Sequence, residues 1–399
     1  MLNLAVAFAL AFAAPDTVPP PEPDAAVLAE PAIVVLRQPA LPIVALRLSL
    51  LADDPPGYAG AGHLMQHLLL PRLEERIARV GGRVQAVRTS DAVVYTVVGP
   101  AGELEYLAET LRAVLRAPAA GTAEMLSATA AVAQERGAER EIAPQYVRAA
   151  LRARLFPGDL PAAGTDAAMA RLNTARMDAV WAAMYRPERV SIVAVGDVEI
   201  AGVRRAFRDV PAAAGEGVAP LADTVRAFAA DTPQATRGWF GRAWSASQAD
   251  PAALTVTVRL LRNHLRRRMT RSAVDVEHWW THHGQALALV VATADSLVPV
   301  ARRTVEGSLT GLRDNLDETL VRDAAASVRR EMLFFARTPE RMADVLGAFS
   351  DRGEAAGSAQ RFYAAVAQVT EDDVRAVLEL LLAEEAAIVE VPPQRLVRE

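Results

Sequence analysis

The sequence predicts an α+β fold: two tandem homologous half-domains, each an α/β sandwich in which a mostly antiparallel sheet packs with helices. Three observations carry this expectation. At 399 residues, 52% hydrophobic and 23% charged, the chain has the length and apolar content for two or three domain-sized cores. The second observation is an internal echo. Thr174 to Val180 leads through Tyr185-Arg186-Pro187 to the strand-like run Ser191 to Val195, and Thr370 to Val374 leads to a similar run, Ala387 to Val391. Ile192 follows Thr174 by 18 positions and Ile388 follows Thr370 by the same 18; each copy reads as a Thr N-cap, an amphipathic helix and a buried strand. Third, the small, flexible run Pro211 to Gly217 lies between the copies as a natural linker. The expected division is therefore 1–25 (leader and Pro-rich spacer), 26–210 (first half), 211–235 (linker) and 236–399 (second half).

The chain opens with an apolar run, Leu2 to Ala14, in which Ala11-Phe12-Ala13 resembles a signal-peptidase site, although no Lys or Arg precedes it. Export to the periplasm or medium is the expectation; without a working leader the chain stays cytoplasmic. The run is too short to span a membrane in the mature chain. Pro15 to Pro23 then forms an extended, proline-fixed spacer.

Ile33 to Arg37 and Ile43 to Leu50 read as strands joined by a Pro-containing turn, hence as an antiparallel pair. A helix follows from about Gly60 to Arg79, then a hairpin of Val84 to Arg88 with Ala92 to Val98, and a helix from Gly102 to Leu115. Ala123 to Phe156 is helical with a break near Pro144. In the second half, a helix from Leu254 to Met269 precedes a hairpin from Ala273 to Thr293 and several more helices.

The chemistry turns on Ala59 to Leu70. On a helix, His63 and His67 stand one turn apart on one face and can offer two imidazoles to one metal ion, with Gln66 on the same face. The pattern is H-x-x-Q-H, one atom type from the H-x-x-E-H of inverted zincins, whose acidic residue is the general base. Gly60-x-x-His63-x-x-Gln66-His67, with Gly81-Gly82-Arg83-Val84-Gln85-Ala86 and Thr89 to Tyr95, resembles the pitrilysin/insulinase family of zinc peptidases, in particular its half-sized bacterial members and mitochondrial processing peptidase subunits.

The resemblance implies zinc as cofactor and a third ligand, Glu, on a later helix. It places that ligand on Glu135, 68 positions after His67, where the abbreviated loop after the motif helix accounts for a shorter spacing than usual. Two imidazoles and one carboxylate would leave a coordination position for water, as in catalytic zinc sites. It also implies that Val84, Gln85 and Ala86 hold an extended peptide substrate by backbone pairing, and that the second half is degenerate, with no H-x-x-x-H at the place corresponding to His63.

The departures from the family pattern point to lost activity. A neutral amide at Gln66 cannot take a proton from zinc-activated water, which removes about 10²- to 10⁴-fold of general-base catalysis. Ala128 stands where the family often has another Glu, Gln85-Ala86 where it usually has Asn-Ala, and Ala273 where a substrate-gripping Tyr would fall after the Arg run 266–268.

Other features exclude alternatives. A net charge of −5 and a pI near 5.8 give no general attraction to nucleic acid, so the Arg run reads as a solvated helix face. With no Cys, the chain has neither disulfides nor thiolate ligands. His278 and His282 lie on a predicted strand, where residues four apart are about 13 Å distant, so they cannot share an ion; they read as half-exposed hairpin residues, with Trp279 and Trp280 filling a sheet face.

The leading expectation is a catalytically impaired zinc-peptidase homologue that pairs with a second homologous chain, as homodimer or heterodimer, and binds zinc and peptide. The alternatives are an active zinc endopeptidase in which Glu74, Glu75 or Glu139 replaces Gln66 as base, and a metal-free scaffold subunit in which His63 and His67 are merely satisfied polar residues.

Overall fold

Every residue of the strand Val190–Gly196 is buried, and its β-branched and small apolar side chains must therefore be covered on both faces. The computed structural model describes residues 24–26, 32–51, 53–116, 119–157, 164–208, 232–355 and 357–393. The apolar run 2–14, the Pro-rich run 15–23 and most of the expected 211–235 linker lie outside these residues.

In the first half, β1 (Asp24–Ala26), β2 (Ala32–Arg37), β3 (Ile43–Leu50), β4 (Arg83–Arg88), β5 (Val93–Pro100) and β6 (Val190–Gly196) form one sheet in the order β1-β2-β6-β3-β5-β4. In the second, β7 (Gly238–Ser245), β8 (Ala273–Thr281), β9 (Gly284–Thr293) and β10 (Ala387–Val391) lie in the order β10-β7-β9-β8. The order β6-β3-β5-β4 is the same path as β10-β7-β9-β8, with all these pairs antiparallel. Both halves thus repeat one mostly antiparallel α+β plan, and β1 and β2 are additions to the first.

Two local expectations are corrected. Strands β2 and β3 do not pair; β6 lies between them, parallel to β2 and antiparallel to β3. A strand buried on both faces belongs inside a sheet, and the turn at 38–42 bridges over it. The N-cap of the helix Thr174–Met184 is Asn173, whose side chain accepts from the Arg176 N–H, whereas Thr370 caps the helix Glu371–Ala383 as expected.

The first-half helices that frame the site are α1 (Ala61–Ala78), α2 (Leu104–Arg112), α3 (Thr122–Glu141) and α4 (Ala143–Leu155), with the break between α3 and α4 at Ile142 and Pro144 in the first turn of α4. One face of the first sheet, including Leu46, Leu48, Ile192 and Ala194, packs on Leu64, Met65 and Leu68 of α1. Its other face, with Val34, Ala45, Val193 and Val195, is covered by Met342, Ala343 and Leu346 of the second-half helix Pro339–Asp351. The exchange is reciprocal: α4 lays Val147 and Leu151 on Ala243, Ala288 and Val389 of the second sheet. At Gly241 of β7 a Cβ would overlap Val147, so α4 can seat only on a bare backbone there. Among the described residues no helix is long and apolar enough to cross a membrane.

Alternation along β8 separates the two tryptophans, a third correction. Trp279 joins the cluster under α4, while Trp280 packs on the opposite face against Phe349 and Phe362.

Candidate metal centre and peptide groove

Helix α1 begins where the backbone must turn sharply. Gly60 has φ 91°, in the left-handed region that favours glycine, and a Cβ on it would press on the backbone of Gly164. The buried carboxylate of Asp54 accepts from the Gly60 N–H at 2.7 Å and the Gly62 N–H at 2.8 Å. It thereby satisfies two of the donors exposed at the helix start and complements the positive end of the helix. Sequence reading missed Asp54; the signal was the turn-forming run Asp53-Asp54-Pro55-Pro56-Gly57 just before the motif.

With Leu64, Met65 and Leu68 turned into the core, His63, Gln66 and His67 fall on the flank facing α3 and β4. His63 and His67 approach through their Nε2 atoms at 3.2 Å. Glu135, on α3, places Oε2 2.9 Å from His63 Nε2 and Oε1 3.2 Å from His67 Nε2. One ligand atom from each of the three side chains lies within 4.8 Å of the others. Residues 68 positions apart in sequence thus converge on one point.

This donor set fits a transition metal. Two imidazole nitrogens and a carboxylate oxygen are the ligand types of zinc sites. Burial, the main influence, pulls the His63 pKa below its ordinary value, with the Glu135 charge opposing and His67 assisting. The neutral ring is the form that ligates. Among the described residues His63 Nδ1 is buried without a hydrogen-bond partner, so none of their carboxylates fixes the ring from behind.

Gln66 is 8% exposed and donates from Nε2 to the Ala86 carbonyl at 3.1 Å, leaving Oε1 buried without a partner among the described residues. Ala86 lies on β4, which among the described residues ends the sheet and pairs only with β5. Beside it opens a groove of about 620 Å³ between α1, β4, α3 and α4. His63, Gln66, Ala86 and Glu135 line it together; Val84 and Gln85 are on the same strand but not among the lining residues.

Of the carboxylates weighed as substitutes for a base, only Glu139 lines this groove. Burial raises its pKa, with Arg140 and Arg152 opposing. Glu74 is exposed elsewhere on α1, and Glu75 pairs with Arg79 at 2.8 Å on the outer side. Ala128 is buried in the first core, where a Glu would have no room in solvent. Arg266, Arg267 and Arg268 form the expected solvated face.

No family model matches the sequence, and no curated protein matches it. Solved structures do. The peptidase M16 inactive domain from Pseudomonas fluorescens is similar at TM-score 0.77 and 15% identity, over 93% of this chain and 98% of that one. A putative M16-like peptidase from Alicyclobacillus acidocaldarius gives TM-score 0.75 at 15% identity over 94% and 98%. The first half of the periplasmic protease PqqL from Escherichia coli gives 0.70 at 13% over 94% and 93%. At such identities the likeness establishes the fold: the paired α+β halves of the M16 (pitrilysin/insulinase) peptidases.

Proposed function

We propose that this protein is a catalytically impaired M16-type peptidase homologue that retains a zinc- and peptide-binding site and serves as the non-catalytic subunit of a peptidase complex with a second homologous chain. The observation that carries the reading is the coexistence of two arrangements on α1: His63 and His67 meet Glu135 at 2.9 and 3.2 Å, while the position of the general base holds an amide. His63, His67 and Glu135 would hold the ion. When bound, zinc would supply Lewis-acid polarisation and activate water. Gln66 can donate to or accept from a neighbour but carries no basic group for proton transfer at neutral pH.

The chain's own residues are suited to holding a peptide. Among the described residues β4 offers a strand edge beside the groove, the arrangement by which an extended peptide adds a strand, with Val84, Gln85 and Ala86 as its contacts, the Ala86 carbonyl being shared with Gln66. The description of the similar Pseudomonas fluorescens structure as an inactive domain supports the same reading. The apolar leader and the likeness to a periplasmic protease support a periplasmic or secreted location. The test is the variant Gln66→Glu, assayed for cleavage of a quenched fluorescent peptide library with zinc, alone and with a copurifying homologous chain. Cleavage gained over wild type supports the proposal; none, with zinc bound and the partner supplied, refutes it.

A second reading, an active endopeptidase, is favoured by Glu139, a half-buried groove carboxylate whose pKa is raised, as befits a proton carrier. It requires wild-type cleavage that a chelator abolishes and Glu139→Gln removes.

A further inference from the structure

A second set of metal-ligating side chains lies outside the groove, where the turn between β8 and β9 meets loops of the first half. Asp53 follows β3, Asp91 lies between β4 and β5, and His282 and His283 form the β8–β9 turn. His282 Nε2 is 3.6 Å and His283 Nε2 3.8 Å from the same atom, Asp53 Oδ1. These separations exceed a hydrogen bond, whereas ligand atoms on one tetrahedral zinc lie roughly 3.3–3.5 Å apart. One ligand atom from each of Asp53, His282 and His283 lies within 4.8 Å of the others.

The orientation of His282 is set from behind. Asp91 Oδ1 lies 2.7 Å from His282 Nδ1 and also accepts the His282 backbone N–H at 3.0 Å. A carboxylate can only accept, so Nδ1 carries a proton, and it is the Nε2 atom of this ring that is turned toward Asp53. A carboxylate holding the far nitrogen of a ligating histidine is the usual support of a metal site. The backbone at the neighbouring residue is held as well: the His283 N–H donates to Thr281 Oγ1 at 3.1 Å. Both amides of the turn are thus fixed, and the two rings lie side by side with centroids 3.7 Å apart.

We propose that Asp53, His282 and His283 form a second site for a divalent late transition metal such as zinc, with Asp91 as its positioning residue. An ion there ties the β8–β9 turn of the second half to the first half.

The site is independent of His63, His67 and Glu135, and its test is built to stay so. Zinc is titrated calorimetrically into the full chain carrying His63→Ala and His67→Ala, and bound zinc is counted after desalting. The expected result is one zinc per chain, lost on adding His283→Ala, and affinity reduced about 10- to 100-fold by Asp91→Asn. Failure of the double variant to bind zinc, or binding unchanged by His283→Ala, overturns the proposal. The wild-type chain gives a second measurement should the double variant not fold: His283→Ala, a surface change, must lower its zinc content by one equivalent, and an unchanged content overturns the proposal. Cobalt in place of zinc should give visible absorption bands that His282→Ala alters.

Discussion

The side-chain amide of Gln66 is hydrogen-bonded to the backbone carbonyl of Ala86, joining the motif helix to the edge strand of the groove at 3.1 Å. A glutamate could not make this bond, because a carboxylate has no proton to give a carbonyl at neutral pH. Gln66→Glu should therefore break the contact, and repulsion from the Ala86 oxygen frees the carboxylate from β4 to act on water at a zinc held by His63, His67 and Glu135. Peptide cleavage in the presence of zinc is expected to rise about 10²- to 10⁴-fold over wild type, the contribution of a general base, measured as initial rates on a fluorogenic peptide.

The halves are also joined by a buried ion pair. Arg47 of β3 meets Asp351 in a two-pronged contact, NH1 to Oδ1 at 3.0 Å and NH2 to Oδ2 at 2.6 Å, with 5% of each side chain exposed. Gly347, one turn before Asp351, leaves room for the guanidinium. Asp351→Ala strands a buried charge and is expected to cost about 3–5 kcal/mol, read from urea unfolding; a loss under 1 kcal/mol would show that solvent reaches Arg47.

His278 sits between helix Pro251–Arg268 and β9, with Nδ1 2.9 Å from Thr255 Oγ1 and Nε2 2.9 Å from Gln285 Oε1. Burial, chiefly, lowers its pKa from 6.5 to about 4, with the Gln285 bond opposing and Arg352 assisting. The unfolded chain takes up this proton near pH 6.5 and the folded chain only near 4, so the stabilisation is complete above pH 6.5 and lost as pH falls toward 4. By pH 5 about 2 kcal/mol should be gone. His278→Gln should show a smaller loss between pH 7 and pH 5 in urea unfolding; an equal loss would assign the effect to other groups.

Asp54 anchors the start of α1 through the Gly60 and Gly62 amides. Asp54→Ala leaves both buried amides unpaired and should cost about 1–3 kcal/mol. Because His63 lies on the first turn of that helix, zinc affinity at the first site should also fall. Intact affinity in a destabilised variant would show that α1 is held by its core contacts alone.

The two-half plan was legible because the repeat of β6 and β10, each preceded by a helix, survives as a pattern in the chain. The meeting of Glu135 with His63 and His67 came from likeness to a family, since no local pattern in the sequence joins α3 to α1. What could not be read was long-range. The insertion of β6 between β2 and β3, and the exchange of α4 and helix Pro339–Asp351 between sheets, depend on faces matched across the two halves. The pairing of the β8–β9 turn with Asp53 and Asp91 has the same origin. On the sequence the natural partner to test for His282 is His278, four residues before it, whereas the structure sets His282 beside carboxylates some two hundred residues away.

The most direct test of the central claim, that the metal ligands survive while the base is replaced, is the zinc content of the His283→Ala chain with and without His63→Ala. With the second site removed, about one zinc per chain that disappears in the His63→Ala variant is the predicted result. No zinc in either chain would contradict the claim and leave His63, His67 and Glu135 as a hydrogen-bonded structural cluster.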